Sequence, residues 1–102
     1  MVIRITAKPG KEEEVKQFLI DGLPIIEGEL ETPVSFPLHL GGATFGIFDA
    51  FRSEADRKEH LAGKLAALLM WKAPEPFTAP PVIEHADVLA QKLAEPQAAG
   101  II

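Results

Sequence analysis

The sequence predicts an α+β chain of ferredoxin-like βαββαβ design, a four-stranded antiparallel sheet with two helices on one face. Three observations predict it. Four segments are branched or alternate apolar with polar residues, two carry apolar residues at helical spacing, and the order is strand, helix, strand, strand, helix, strand. The 102 residues suit a single domain over residues 1–92, followed by a weakly specified C-terminal tail over residues 93–102.

Val2 to Lys8 is the first strand, stopped by "KPG". Glu12, Glu13 and Glu14 then favour the positive end of a helix, and Glu12 with Lys16 has the spacing of a helical ion pair. Val15, Phe18, Leu19 and Ile26 form that helix's apolar stripe, with Gly22 and Pro24 expected to kink it or end it early. Thr32 to Leu40 alternates Val34, Phe36, Leu38 and Leu40 with Ser35, Pro37 and His39, and its two prolines make it an edge strand. Gly41 and Gly42 turn the chain into the next strand, Ala43 to Phe51. Ser53 caps a second helix from Glu54 to Lys72, whose core stripe is Leu61, Leu65, Leu68 and Leu69. "APEPFTAPP" breaks it, and Val82 to Ala90 is the last strand.

Composition excludes several classes of function. A formal net charge of −5 leaves no basic stripe for nucleic acid. Cysteine is absent, which removes disulfides, thiolate catalysis and thiolate zinc sites. The opening strand has no signal-peptide pattern and no apolar run has membrane-spanning length, so the expectation is a soluble, cytoplasmic protein without membrane contact. Two helices cover one sheet face and leave the other greasy. A second copy is the expected cover, giving a homodimer packed sheet against sheet.

"ITAKPGKEEEVKQFL", "TFGIFDAFRSEADRKEHLAG" and "PPVIEHADVLAQKL" resemble the antibiotic-biosynthesis-monooxygenase-like family of dimeric α/β barrels over nearly the whole chain. The resemblance implies a ligand cavity between sheet and helices in each subunit. It also implies an activity among cofactor-free oxygenases of aromatic polyketides, quinol monooxygenases and haem-degrading enzymes. Three departures weigh against haem: Phe51 stands where a tryptophan is common, Arg4 or Thr6 where haem degraders carry asparagine, and "AGKLAALL" lacks their ligating histidine. The expectation is a cofactor-independent monooxygenase-like protein acting on a small aromatic or quinol-type molecule, with no cofactor and no metal. The alternative is a non-catalytic dimeric ligand-binding or stress-associated protein.

Asp49 is the candidate base, sharing a strand face with Phe45, Ile47 and Phe51, where a carboxylate needs a partner. Arg4 is the candidate oxyanion partner, and the plainer reading, which the residues favour, is an Asp49–Arg4 ion pair. His39 on the edge strand is an alternative base, against a plainer reading as a solvent-facing imidazole. Phe36, Phe51 and Trp71 are candidate substrate contacts, although each also suits packing, Trp71 against "PEPF" or a dimer mate. His60 falls with Lys64 and Trp71 on a helical wheel, away from the leucine stripe, and is expected to face solvent or a partner. Three scattered histidines without a paired spacing argue against a metal site.

Overall fold

The computed structural model describes residues 1–72 and 74–92, so the weakly specified tail lies outside the described residues. The elements are β1 (Val2–Thr6), α1 (Glu12–Glu27), β2 (Val34–Gly41), β3 (Thr44–Ala50), α2 (Glu54–Leu61), α3 (Lys64–Lys72) and β4 (Val82–Glu84). The antiparallel sheet runs β2-β3-β1-β4, which bears out the ferredoxin-like order and puts the proline-bearing β2 at an edge.

Alternation sorts the central strands. Ile3 and Ile5 of β1 and Phe45 and Ile47 of β3 are buried against Val15 and Leu19 of α1 and Leu69 of α3. Gly41 and Gly42, with φ of 108° and 54°, make the β2–β3 turn in a region that side chains disfavour. Ser53 accepts a hydrogen bond from the Asp56 amide, the expected cap of α2.

β2 and β3 fall within two residues of the expected bounds, and the other elements differ from expectation. α1 does not end early: its buried stripe of Val15, Leu19, Gly22 and Ile26 carries the helix past Pro24, at the loss of the hydrogen bond a proline cannot donate. Glu14, rather than Glu12, is the paired acid of its first turn, 3.6 Å from Lys11 and 3.3 Å from Lys72. The single long helix over residues 54–72 is two helices, α2 and α3, with Ala62 and Gly63 between them. There the Gly63 amide donates back to the His60 carbonyl at 2.9 Å, and a methyl group on Gly63 would stand 3.0 Å from that oxygen. β1 stops at Thr6 because its neighbour changes: Ala7 bridges Phe77, and the Lys8 amide donates to the Pro76 carbonyl. β4 covers three residues, paired with Val2, Ile3 and Arg4 of β1, rather than the nine of Val82 to Ala90.

The other sheet face is the greasy one. Phe36, Leu38 and Leu40 of β2 and Val82 of β4 are exposed there, and Phe36 stacks on Phe48 with ring centroids 6.5 Å apart. No helix among the described residues is long and apolar enough to cross a membrane.

Candidate functional site

Between the sheet and helices α1 and α3 lies a cavity of about 250 Å³. Its wall is apolar, with Ile3, Leu19, Ile47, Leu65 and Leu69 prominent, and Ser35, Asp49 and His60 are its polar side chains. Gly22 lets α1 come close here, since a Cβ at that position would meet Leu65 at 3.0 Å.

Asp49 reaches the cavity from the end of β3. Two backbone hydrogen bonds pin that end to the start of β1: the Met1 ammonium donates to the Asp49 carbonyl at 2.8 Å, and the Asp49 amide donates to the Met1 carbonyl at 3.0 Å. The carboxylate is buried, and its partner is His60 rather than Arg4. His60 Nε2 lies 3.2 Å from Asp49 Oδ2, while Nδ1 lies 2.7 Å from Glu29 Oε1 in the loop after α1. Buried Thr32, from the same loop, donates to Glu29 Oε1 at 3.2 Å and sits 3.1 Å from His60 Nδ1. Phe51 covers the imidazole, ring centroids 5.2 Å apart.

An imidazole with a carboxylate on each nitrogen satisfies both only when both nitrogens carry protons. Burial alone pulls the His60 pKa down, but hydrogen bonds to Asp49 and Glu29, reinforced by their charges, raise it overall. The site is therefore an imidazolium between two carboxylates, with a net negative charge. The three side chains do not converge on a common point, and among the described residues no group of three or more His, Cys, Asp or Glu side chains is placed to hold a metal ion.

Proton binding that is stronger in the folded chain gives a signed pH dependence. The stabilisation is complete below the ordinary imidazole value of 6.5 and is lost as pH rises through the higher folded value. Thermal melts from about pH 6 to about pH 9 should show Tm falling, with a flatter profile in His60→Asn. A Tm that rises over that span contradicts the charged imidazole.

The structure places the other candidate residues elsewhere. Arg4 is exposed on the opposite sheet face, in register between Gly46 and Val82, so the Asp49–Arg4 pair is corrected to Asp49–His60. Adjacent strand residues point to opposite faces, and β1 turns Ile3 and Ile5 inward. His39 is exposed, stacks on Phe45, and its Nε2 lies 2.9 Å from the Gly42 carbonyl, away from Asp49. Phe36 belongs to the open face, and Phe51 touches the cluster through His60. Trp71 is 78 % exposed and packs on neither the cavity nor the core, whereas Phe77 of "PEPF" is a core residue.

His60, Glu29 and Thr32 escaped the sequence reading. A continuous helix over residues 54–72 turns His60 outward, and Gly63 was the signal that the helix breaks. Glu29 and Thr32 carried no signal, because their partner lies about thirty residues away in an irregular loop.

No protein-family model matches the chain, and no curated protein matches it. Among solved structures it is similar to the NE2512 protein of unknown function from Nitrosomonas europaea, with 44 % identity over 92 % of this chain and 91 % of that one, and a TM-score of 0.89. A Bacteroides thetaiotaomicron protein provisionally named an antibiotic biosynthesis monooxygenase has 18 % identity over 92 % of this chain and 91 % of its own, with a TM-score of 0.73. A Deinococcus radiodurans protein under the same provisional name has 15 % identity, covers 92 % of this chain and 100 % of its own, and has a TM-score of 0.70.

Proposed function

We propose that this chain, which belongs to the same family as the Nitrosomonas europaea NE2512 protein and carries the antibiotic-biosynthesis-monooxygenase-like fold, is a cofactor-independent monooxygenase-like protein acting on a small aromatic or quinol-type substrate. The observation that carries this reading is the apolar cavity with one buried carboxylate on its wall. Asp49 is the base that takes a phenolic or equally acidic proton. His60, hydrogen-bonded to its other oxygen, orients the carboxylate and offers positive charge to the anion that forms. That anion is electron-rich enough to meet oxygen directly. One oxygen atom bonds to a ring carbon, the other leaves as water, and the substrate supplies all four electrons. Arg4 and His39 have no part in this scheme, since neither lines the cavity.

Oxygen uptake with a panel of hydroquinones, naphthols and anthrones tests it. At least one compound should turn over, and Asp49→Asn should lower its kcat about a hundredfold or more. Uptake no faster than the buffer control across the panel removes the oxygenase reading. Binding without uptake supports the rival, a non-catalytic ligand-binding protein in which the Glu29–His60–Asp49 network is purely structural.

The working unit in this proposal is a homodimer. Phe36, Leu38 and Leu40 of β2, with Val82 beyond Arg4 on the same face, leave large apolar side chains exposed on a small sheet, of the kind that mark an association site. A second copy turned by a two-fold axis presents the same surface back.

A further inference from the structure

We propose that the cavity selects a neutral one- or two-ring molecule by a hydroxyl or N–H donor, received by Asp49 Oδ1, and discriminates against rings carrying only an acceptor or a carboxylate at that place. This rests on the reading of the cavity as the ligand site.

The observation is an orphaned atom. Asp49 Oδ2 faces His60 Nε2, but Oδ1 is buried and has no hydrogen-bond partner among the described residues. Asp49 itself is 1 % exposed and belongs to the cavity wall. A carboxylate oxygen only accepts, so whatever satisfies it must donate. No described residue supplies that donor. Both nitrogens of His60 are committed, to Asp49 and to Glu29, and Arg4 lies on the opposite sheet face. Ser35 stands opposite Asp49 in the β2–β3 register and lines the same cavity, yet it makes no hydrogen bond to Oδ1.

Charge sharpens the choice. Two carboxylates surround one imidazolium, and among the described residues no lysine or arginine lines the cavity. An anionic ligand therefore meets net repulsion in a poorly solvated space. The volume limits size, since about 250 Å³ is below the roughly 300–1,000 Å³ typical of drug-sized sites.

Asp49→Asn offers an inverted readout. His60 Nε2–H still requires an acceptor, so the asparagine must turn its carbonyl to His60 and its amide NH2 to the cavity. The wall then donates where the wild type accepts.

The test is equilibrium binding of 1-naphthol, naphthalene, 1-naphthaldehyde and 1-naphthoate to the full chain, followed by ligand fluorescence without oxygen. Naphthalene fits wherever 1-naphthol fits, so size does not separate them. In the wild type, 1-naphthol should bind at least about tenfold tighter than naphthalene, within the roughly 5–150-fold cost of leaving a buried acceptor unpaired. The aldehyde and the carboxylate should bind more weakly than naphthalene. In Asp49→Asn the aldehyde should rise above naphthalene. Affinities for 1-naphthol and naphthalene within about threefold of each other in the wild type overturn the inference, even if Asp49→Asn does not fold. Discrimination without any oxygen uptake leaves the inference standing and removes the oxygenase reading. Absence of binding by all four removes both.

Discussion

His60→Leu is expected to cost the fold about 3–5 kcal/mol, because it strips Asp49 and Glu29 of the charge between them and leaves both carboxylates in an apolar setting. At roughly 4–8 °C per kcal/mol for a chain of this size, the melting temperature should fall by more than about 12 °C. Volume is not the cause, since leucine and histidine are comparable in size and the new side chain suits its neighbours Phe51 and Leu61. The proof lies in the neighbours' own substitutions. In a chain already carrying Glu29→Gln and Asp49→Asn, the same His60→Leu change should cost at least about 2 kcal/mol less, a coupling of the size seen within one buried network. Equal costs in the two backgrounds would mean that the three side chains do not act as a unit.

Light scattering should give the wild type a mass of twice its 11.1 kDa chain, and Phe36→Glu with Leu38→Glu should return it to a single chain. Both residues lie on the sheet face away from the cavity, 47 % and 39 % exposed in the chain alone, so the substitutions leave the core untouched and the far-ultraviolet circular dichroism unchanged. Sheet-to-sheet packing would bury four new carboxylates around the two-fold axis. A combined cost of at least about 4 kcal/mol weakens association about a thousandfold or more. A wild type that stays a single chain at high concentration ends the dimer proposal, while the cavity experiments stand independently of it.

What was legible in the sequence followed from period and punctuation. The alternation of "TFGIFDA" put Asp49 on one face with Phe45 and Ile47, which the structure turns inward, and "TPVSFPLHL" marked an edge strand, whose apolar side the structure turns away from the helices. Strand order alone, however, made Arg4 look like the neighbour of Asp49. Register decides otherwise, because Arg4 faces Gly46 and the odd-numbered positions of β1 take the inner face. Helical periodicity also ran too far. The leucines continue in phase over residues 61–69, so the break at Gly63 has no hydrophobic signature, and the turn of His60 into the interior follows from that break. Glu29 was illegible for a different reason: a lone acid in an irregular loop gains meaning only from the residue that folds onto it.

The break between α2 and α3 also has an electrical consequence. In one uninterrupted helix His60 would sit mid-span, where successive peptide dipoles cancel. Ending α2 at Leu61 instead places His60 in the last turn of a helix, just before its C-cap Ala62, where the helix presents its negative pole. A glycine with no chemistry of its own thus sets the residue that holds Asp49 at the end of a helix that favours a cation.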